Sequence, residues 1–132
     1  MREELVFAVM HRGADLVMEE MRQPTPDGHD LSFVGARVGN TIPELAAIAK
    51  VRHELGFNAL LPSQLGERKS LQYHDKIGFF YELLIPGDTE IRRINESGVS
   101  DFVLKSLDDV LEAQRQGRMM ELSDMYISRE FV

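Results

Sequence analysis

Apolar residues recur along the chain with two different periods, and the switches between them outline its elements. From Arg2 to Gln23, Val6, Met10, Ala14, Val17 and Met21 recur at three- and four-residue steps, flanked by Leu5, Val9 and Leu16, and predict one amphipathic helix. Arg2-Glu3-Glu4 puts acids in its first turn and Pro24 ends it, while Gly13 is its weak point, at about 1 kcal/mol against alanine. The competing pattern makes Leu5 to Met10 a strand and begins the helix at Ala14. The cluster "PTPDGHD", Pro24 to Asp30, predicts a turn, and "LSFVGARVG" a strand.

"NTIPELAAIAKVRHELG" predicts the best-marked helix. Thr41 and Glu44 have the spacing of a capping box, Pro43 sits in the first turn, and Gly56 is placed as C-cap. Ile42, Leu45, Ile48, Ala49 and Leu55 line one side. "FNALLP" fits a short strand, and "SQLGERKSLQYHD" a polar loop of roughly a dozen residues. Then Ile77, Phe79, Tyr81, Leu83 and Ile85 alternate, which predicts a central strand with a core face. Pro86-Gly87-Asp88 reads as a turn, with "TEIRRI" as the next strand of a hairpin. A third helix is expected from Ser100 to Gln116, with Val103, Leu104, Leu107, Val110 and Leu111 as its stripe, Ser100 or Asp101 as its cap and Gly117 as its stop. In the last segment Met125, Ile127 and Phe131 alternate as in a strand. The predicted fold is α+β in a single domain over 1–132: a mainly antiparallel sheet of about four strands with three helices packed largely on one face.

Composition narrows the function classes. A net charge of −7 and a pI near 5.1 oppose nucleic-acid or anionic-membrane binding, which need a basic face. Arg92-Arg93 and Glu67-Arg68-Lys69 are short basic clusters with acids nearby. With no cysteine there is no disulfide, thiolate metal site or cysteine nucleophile. The start "MREELVFAVM" has acids where a signal peptide needs bases, and its apolar run falls short of a membrane span, so a cytoplasmic location is expected.

The most apolar run, "KIGFFYELLI", contains one carboxylate, Glu82, on the face shared with Gly78, Phe80 and Leu84. A buried unpaired charge costs several kcal/mol, so Glu82 must be paired, protonated, chemically employed or simply solvated. Arg37, in an otherwise uncharged strand, is the candidate partner, at a Cβ separation of about 5 Å if the two strands are neighbours. "GARVGNT", before the second helix, allows a generic anion site but lacks the spacing and lysine of a phosphate loop. "HELGF" begins like a zinc helix, yet Phe57 stands where the second histidine belongs. "DGHD" and "YHD" each set an acid beside an imidazole, but His11, His29, His53 and His74 share no metal spacing. No metal and no cofactor are therefore predicted. Seven methionines, with Met18 and Met21 near one helix end and Met119, Met120 and Met125 near the chain end, would suit an adaptable apolar surface.

"YELLIPGDTEIRRI" resembles the segment that carries the catalytic glutamate in ADP-ribosyltransferases, where an acid precedes aliphatics, a glycine turn and a second strand. The resemblance implies a transferase with Glu82 as its acid and His11-Arg12-Gly13 on the nicotinamide side. Phe80 stands where many members have a second acid, and no Ser-Thr-Ser strand is present.

The leading expectation is a small protein-interaction or regulatory domain, of inhibitor or adaptor type, that docks an apolar surface on another protein or on itself as a homodimer. The alternative is a small enzyme or ligand-binding domain with Glu82 as its key acid and Arg37, Tyr81, His11 or His74 nearby.

Overall fold

A strand running through the middle of a sheet must be apolar on both sides, and the N-terminal segment meets that demand. In the computed structural model, which describes residues 2–94 and 98–132, it forms β1 (Glu3–Arg12) and β2 (Asp15–Met21). The two form a hairpin, paired Met10↔Val17, His11↔Leu16 and Arg12↔Asp15. Gly13, at φ +62°, makes the turn in a region that side chains rarely adopt. The helix expected over 2–23 is therefore a hairpin. Val6, Ala8 and Met10 are buried on one face and Phe7 and Val9 on the other, and two apolar faces of a strand mimic a broad helical stripe. The competing strand at Leu5 to Met10 forms, but the helix from Ala14 does not.

The arms of this hairpin diverge beyond Met10 and Val17, and β3 (Leu31–Arg37) enters between them. It pairs antiparallel with β1 from Leu5↔Arg37 to Ala8↔Val34 and with β2 from Met18↔Phe33 to Glu20↔Leu31. On the other side of β1, β5 (Lys76–Leu84) runs parallel, in register from Glu3↔Lys76 to His11↔Leu84. β4 (Lys69–Tyr73) forms a hairpin with β5 out of the second half of the expected polar loop, and β6 (Ser100–Ser106) adds to β2. The order is β4-β5-β1-β3-β2-β6. The α+β class holds, but the sheet has six strands and is mixed rather than four and antiparallel.

Helices cover both faces, not one. α1 (Pro43–Lys50) continues as a π-helical turn over Val51–Leu55 and stops at Gly56, at φ +84°, as expected. The expected capping box does not form: Ile42 is the N-cap without a side-chain bond, and Glu44 accepts from the Tyr81 hydroxyl instead. Ala46, Ala47, Ile48, Val51 and Leu55 are the buried stripe, whereas Ile42 and Leu45 face solvent. This layer packs on Val6, Ala8, Met10, Val34, Phe79, Tyr81 and Leu83.

The opposite face of Phe7, Val9, Phe33 and Phe80 is covered by α2 (Leu107–Arg115) and α3 (Glu121–Glu130). The first half of the helix expected from Ser100 is β6, and α2 begins only where Ser106 Oγ accepts from the Asp109 N–H at 3.1 Å. The last segment is α3 rather than a strand, because Leu122, Ser123, Tyr126 and Ile127 form one buried helical stripe. Among the described residues neither "FNALLP" nor the stretch from Thr89 to Ile94 is a strand, and no helix is long and apolar enough to cross a membrane.

β1 and β3 approach closely at Gly35, where an added Cβ would lie 2.8 Å from the Phe7 ring. That ring is itself stacked on Phe80 at 4.8 Å and has little room to yield. Gly35→Ala is expected to destabilise the fold by about 1–3 kcal/mol in urea unfolding. An unchanged midpoint would show that Phe7 moves freely.

Candidate functional site

The parallel register of β1 and β5 sets Glu82 beside Val9 and Leu84 beside His11, so the His11 and Glu82 side chains emerge on the same face, the one that α3 covers. His11 Nε2 lies 2.6 Å from Glu82 Oε1, and the Tyr126 hydroxyl donates to Glu82 Oε2 at 2.8 Å. Lys69 Nζ stands 3.9 Å from the same Oε2 and is hydrogen-bonded to Glu130. The carboxylate at the centre is about one-third exposed. It is neither buried alone nor free in solvent.

Each partner is held by packing. The Tyr126 ring stacks on Phe80 at 4.4 Å and meets Phe33 edge-on at 5.6 Å, which fixes where its hydroxyl points. Phe131 stands edge-on to the His11 ring at 6.4 Å. β4 stops at Lys69↔Phe80, so the outer edge of β5 beyond Phe80 has no strand partner. The Gly66 N–H donates to the Glu82 carbonyl there at 2.8 Å. The result is an open depression of about 380 Å³ lined by His11, Gln64, Leu65, Gly66, Glu82 and Leu84.

Burial works to raise the Glu82 carboxyl, but the hydrogen bonds from Tyr126 and His11 and the charges of His11 and Lys69 outweigh it and hold it below its ordinary value of 4.5. Burial and the adjoining carboxylate push the Tyr126 phenol far above its ordinary range, so it remains a neutral donor. Glu82 is therefore an anchored acceptor at neutral pH, not a proton donor. Its bond to Nε2 fixes the imidazole and leaves Nδ1 to take a proton.

The expected companions fare differently. His11 is brought to Glu82, across 71 positions of sequence. Arg37 is not: β1 lies between their strands, and the guanidinium, 81% exposed at the end of β3, stands 3.6 Å from Glu3. His74 occupies the β4–β5 turn at φ +53°, and the six residue steps along β5 from Lys76 to Glu82 put it roughly 20 Å from Glu82. Tyr81 points to the other face, where its burial and then its bond to Glu44 raise the phenol to about 12. Of the basic clusters, Arg93 is largely enclosed between Glu54 at 2.9 Å, Glu19 at 3.4 Å and Ser100, and Arg92 pairs with Glu90 at 3.3 Å. The hairpin on which the ADP-ribosyltransferase resemblance rests is not formed, since among the described residues no second strand follows Leu84 before β6. Sequence reasoning missed Tyr126, Lys69 and Glu130. The four-residue step from Tyr126 to Glu130 would have placed both on one helix face, had the segment been taken as helical.

No family model matches the chain, and no curated protein matches it in sequence. Solved structures do match in fold. A bifunctional NMN adenylyltransferase/ADP ribose pyrophosphatase from Francisella tularensis, complexed with AMP and a manganese ion, superposes with a TM-score of 0.71 at 16% identity. That match covers 97% of this chain and 40% of the other, so the chain spans well under half of that protein. A NUDIX hydrolase from Nitrosomonas europaea gives a TM-score of 0.66 at 17% identity over 97% of this chain and 87% of the other. A MutT NUDIX hydrolase from Burkholderia pseudomallei gives 0.58 at 14% over 82% and 85%. At these identities what is shared is the fold. These three structures are described as enzymes, which overturns the expectation of a docking or regulatory module.

The depressed Glu82 carboxyl ties stability to pH. A carboxylate held low in the folded state contributes stability that is present above its unfolded value and lost as pH falls through the folded one. The melting temperature of the wild type should therefore exceed that of Glu82→Gln near pH 6, and the gap should close as the pH falls below the ordinary carboxyl value of 4.5. A gap that widens in acid would contradict the assigned bonds.

Proposed function

We propose that the protein is a small hydrolase in which Glu82 orients His11 as the general base. The observation that carries this reading is the 2.6 Å contact between His11 Nε2 and Glu82 Oε1 at an open depression, with Tyr126 holding the second carboxylate oxygen. The imidazole takes a proton from water on Nδ1 while the water oxygen attacks the substrate, and it returns that proton to the leaving group. Glu82 stays ionised and stabilises the imidazolium. Tyr126 and Lys69 are positioning groups, since both touch Glu82.

The choice of hydrolysis is supported by the fold, which is shared with proteins described as NUDIX hydrolases and as an ADP ribose pyrophosphatase. A nucleoside diphosphate linked to a further group, with ADP-ribose as the type compound, is accordingly the substrate class proposed. The manganese named for the Francisella structure raises the question of whether α1 and its extension suit a metal. They do not. Their two carboxylates are Glu44, bound to Tyr81, and Glu54, which meets Lys50 at 2.5 Å and Arg93 at 2.9 Å, so each is already taken by a donor of the protein's own. No step is drawn through a metal there.

Purified protein incubated with ADP-ribose, nucleotide sugars and deoxynucleoside triphosphates, with products resolved by anion exchange, tests the proposal. His11→Ala and Glu82→Gln are each expected to lower kcat by about 10²–10⁴ while circular dichroism stays native. Full activity in His11→Ala would remove the imidazole from the mechanism. A wild type inert towards the whole panel would remove the hydrolase.

A further inference from the structure

The stretch "PTPDGHD" is left unused by the His11–Glu82 site, and the structure gives it a partner from the far end of the chain. Thr25 closes it into a compact loop: its N–H donates to the His29 carbonyl at 2.9 Å, its carbonyl accepts from Gly28 at 2.8 Å, and its hydroxyl accepts from the His29 N–H at 3.1 Å. The loop is tied to the chain leading into α3, since the Asp30 N–H donates to the Arg118 carbonyl at 2.9 Å. Asp27 and His29 are thereby brought to Glu121, the first residue of α3. One ligand atom from each of the three lies within 4.8 Å of the other two, and His29 Nδ1 is 3.5 Å from Glu121 Oε1.

The charges around this corner are divided unevenly. Arg118 satisfies the neighbouring acids, Asp30 at 2.9 Å and Glu20 at 3.0 Å. Among the described residues no lysine or arginine is ion-paired with Asp27 or Glu121, so two carboxylates converge with only an imidazole between them. Glu121 also lines a cavity of about 340 Å³ walled by Leu5, Phe7, Tyr73 and Met120, into which Arg37 and Lys76 bring positive charge. A cavity of that size with a few convergent polar groups is the form of a small-molecule site.

We propose that Asp27, His29 and Glu121 hold a first-row divalent metal ion such as Zn²⁺ or Mn²⁺. One imidazole nitrogen and two carboxylate oxygens suit such a metal better than Mg²⁺ or Ca²⁺, which take oxygen alone. Ligand atoms at these separations close onto a metal at about 2.0–2.2 Å with small side-chain rotations. Three protein ligands leave coordination positions open, so an anion in the cavity beside Glu121 can complete the shell. The site is independent of His11 and Glu82, because the ten residues of α3, roughly 15 Å of helix, separate Glu121 from Glu130.

Isothermal titration of the metal-free protein with ZnCl₂ and MnCl₂, paired with thermal melts, reads the site without any substrate. The wild type should bind one equivalent and melt higher with metal, and His29→Gln and Glu121→Gln should each weaken binding by roughly tenfold or more. His53→Gln, outside the cluster, should bind like the wild type. Asp27→Asn, at an exposed loop position, repeats the test should either of the first two variants melt low without metal. Equal affinity in wild type and triad variants would overturn the proposal, as would the absence of any binding at millimolar metal.

Discussion

The parallel pairing of β1 with β5 is the constraint on which the rest depends. It joins residues some 73 positions apart over a register running from Glu3↔Lys76 to His11↔Leu84, and it places one apolar strand at the centre of both layers. Such a pairing forms only after a long loop has closed, so it must be rewarded by burial on both sides. That reward is visible in Val6, Ala8 and Met10 under α1 and in Phe7 and Val9 under α3, all nearly inaccessible. The same register delivers His11 to Glu82. A slip of one residue would send the two side chains to opposite faces of the sheet and dissolve the site with the core.

Polar groups inside this frame are gathered into shared sets. Glu82 spends its two oxygens on His11 and Tyr126, and Glu54 and Glu19 share Arg93 with Ser100 on the other side of the sheet. Ser123, buried in α3, accepts from the Phe33 N–H at 3.1 Å and so fixes that helix to β3. Removing one member of such a set leaves its partners uncompensated, which costs more than the bond itself contributes. The two carboxylate centres differ in a way that matters for chemistry. Glu54 is enclosed by fixed cations, whereas Glu82 faces a depression and has a titratable imidazole as its nearest neighbour.

How much of this was legible in the sequence follows from which signals were local. β5 and its core face were readable because Ile77, Phe79, Tyr81, Leu83 and Ile85 alternate without interruption, and the end of the α1 extension was readable from Gly56. The hairpin of β1 and β2 was not, because a strand buried on both faces has no alternation to display and its apolar positions fall at helical steps by coincidence. β4 was hidden for the opposite reason: Lys69, Gln72 and Tyr73 are edge residues with little burial, and only pairing to β5 makes them a strand. Half of the candidate site, His11 and Glu82, was named in advance. Their contact was not, since it depends on a parallel register that neither strand encodes alone, and Tyr126 was lost with the misread last helix.

That the fold is shared with NUDIX hydrolases at 14–17% identity supports the proposed reaction type but does not assign it to any side chain of this chain. The helix after β3 shows why. Its carboxylates are locked to Tyr81, Lys50 and Arg93, so the side of the sheet where that helix lies offers ion pairs instead of open ligands. The α3 side, by contrast, carries both groups of unsaturated donors: an imidazole with a free nitrogen near the helix's C-terminal end, and an imidazole with two carboxylates at its N-terminal end. A reactive site needs groups whose valence is not already spent within the protein. On that criterion the proposed chemistry lies on the face of Phe7, Phe33 and Phe80.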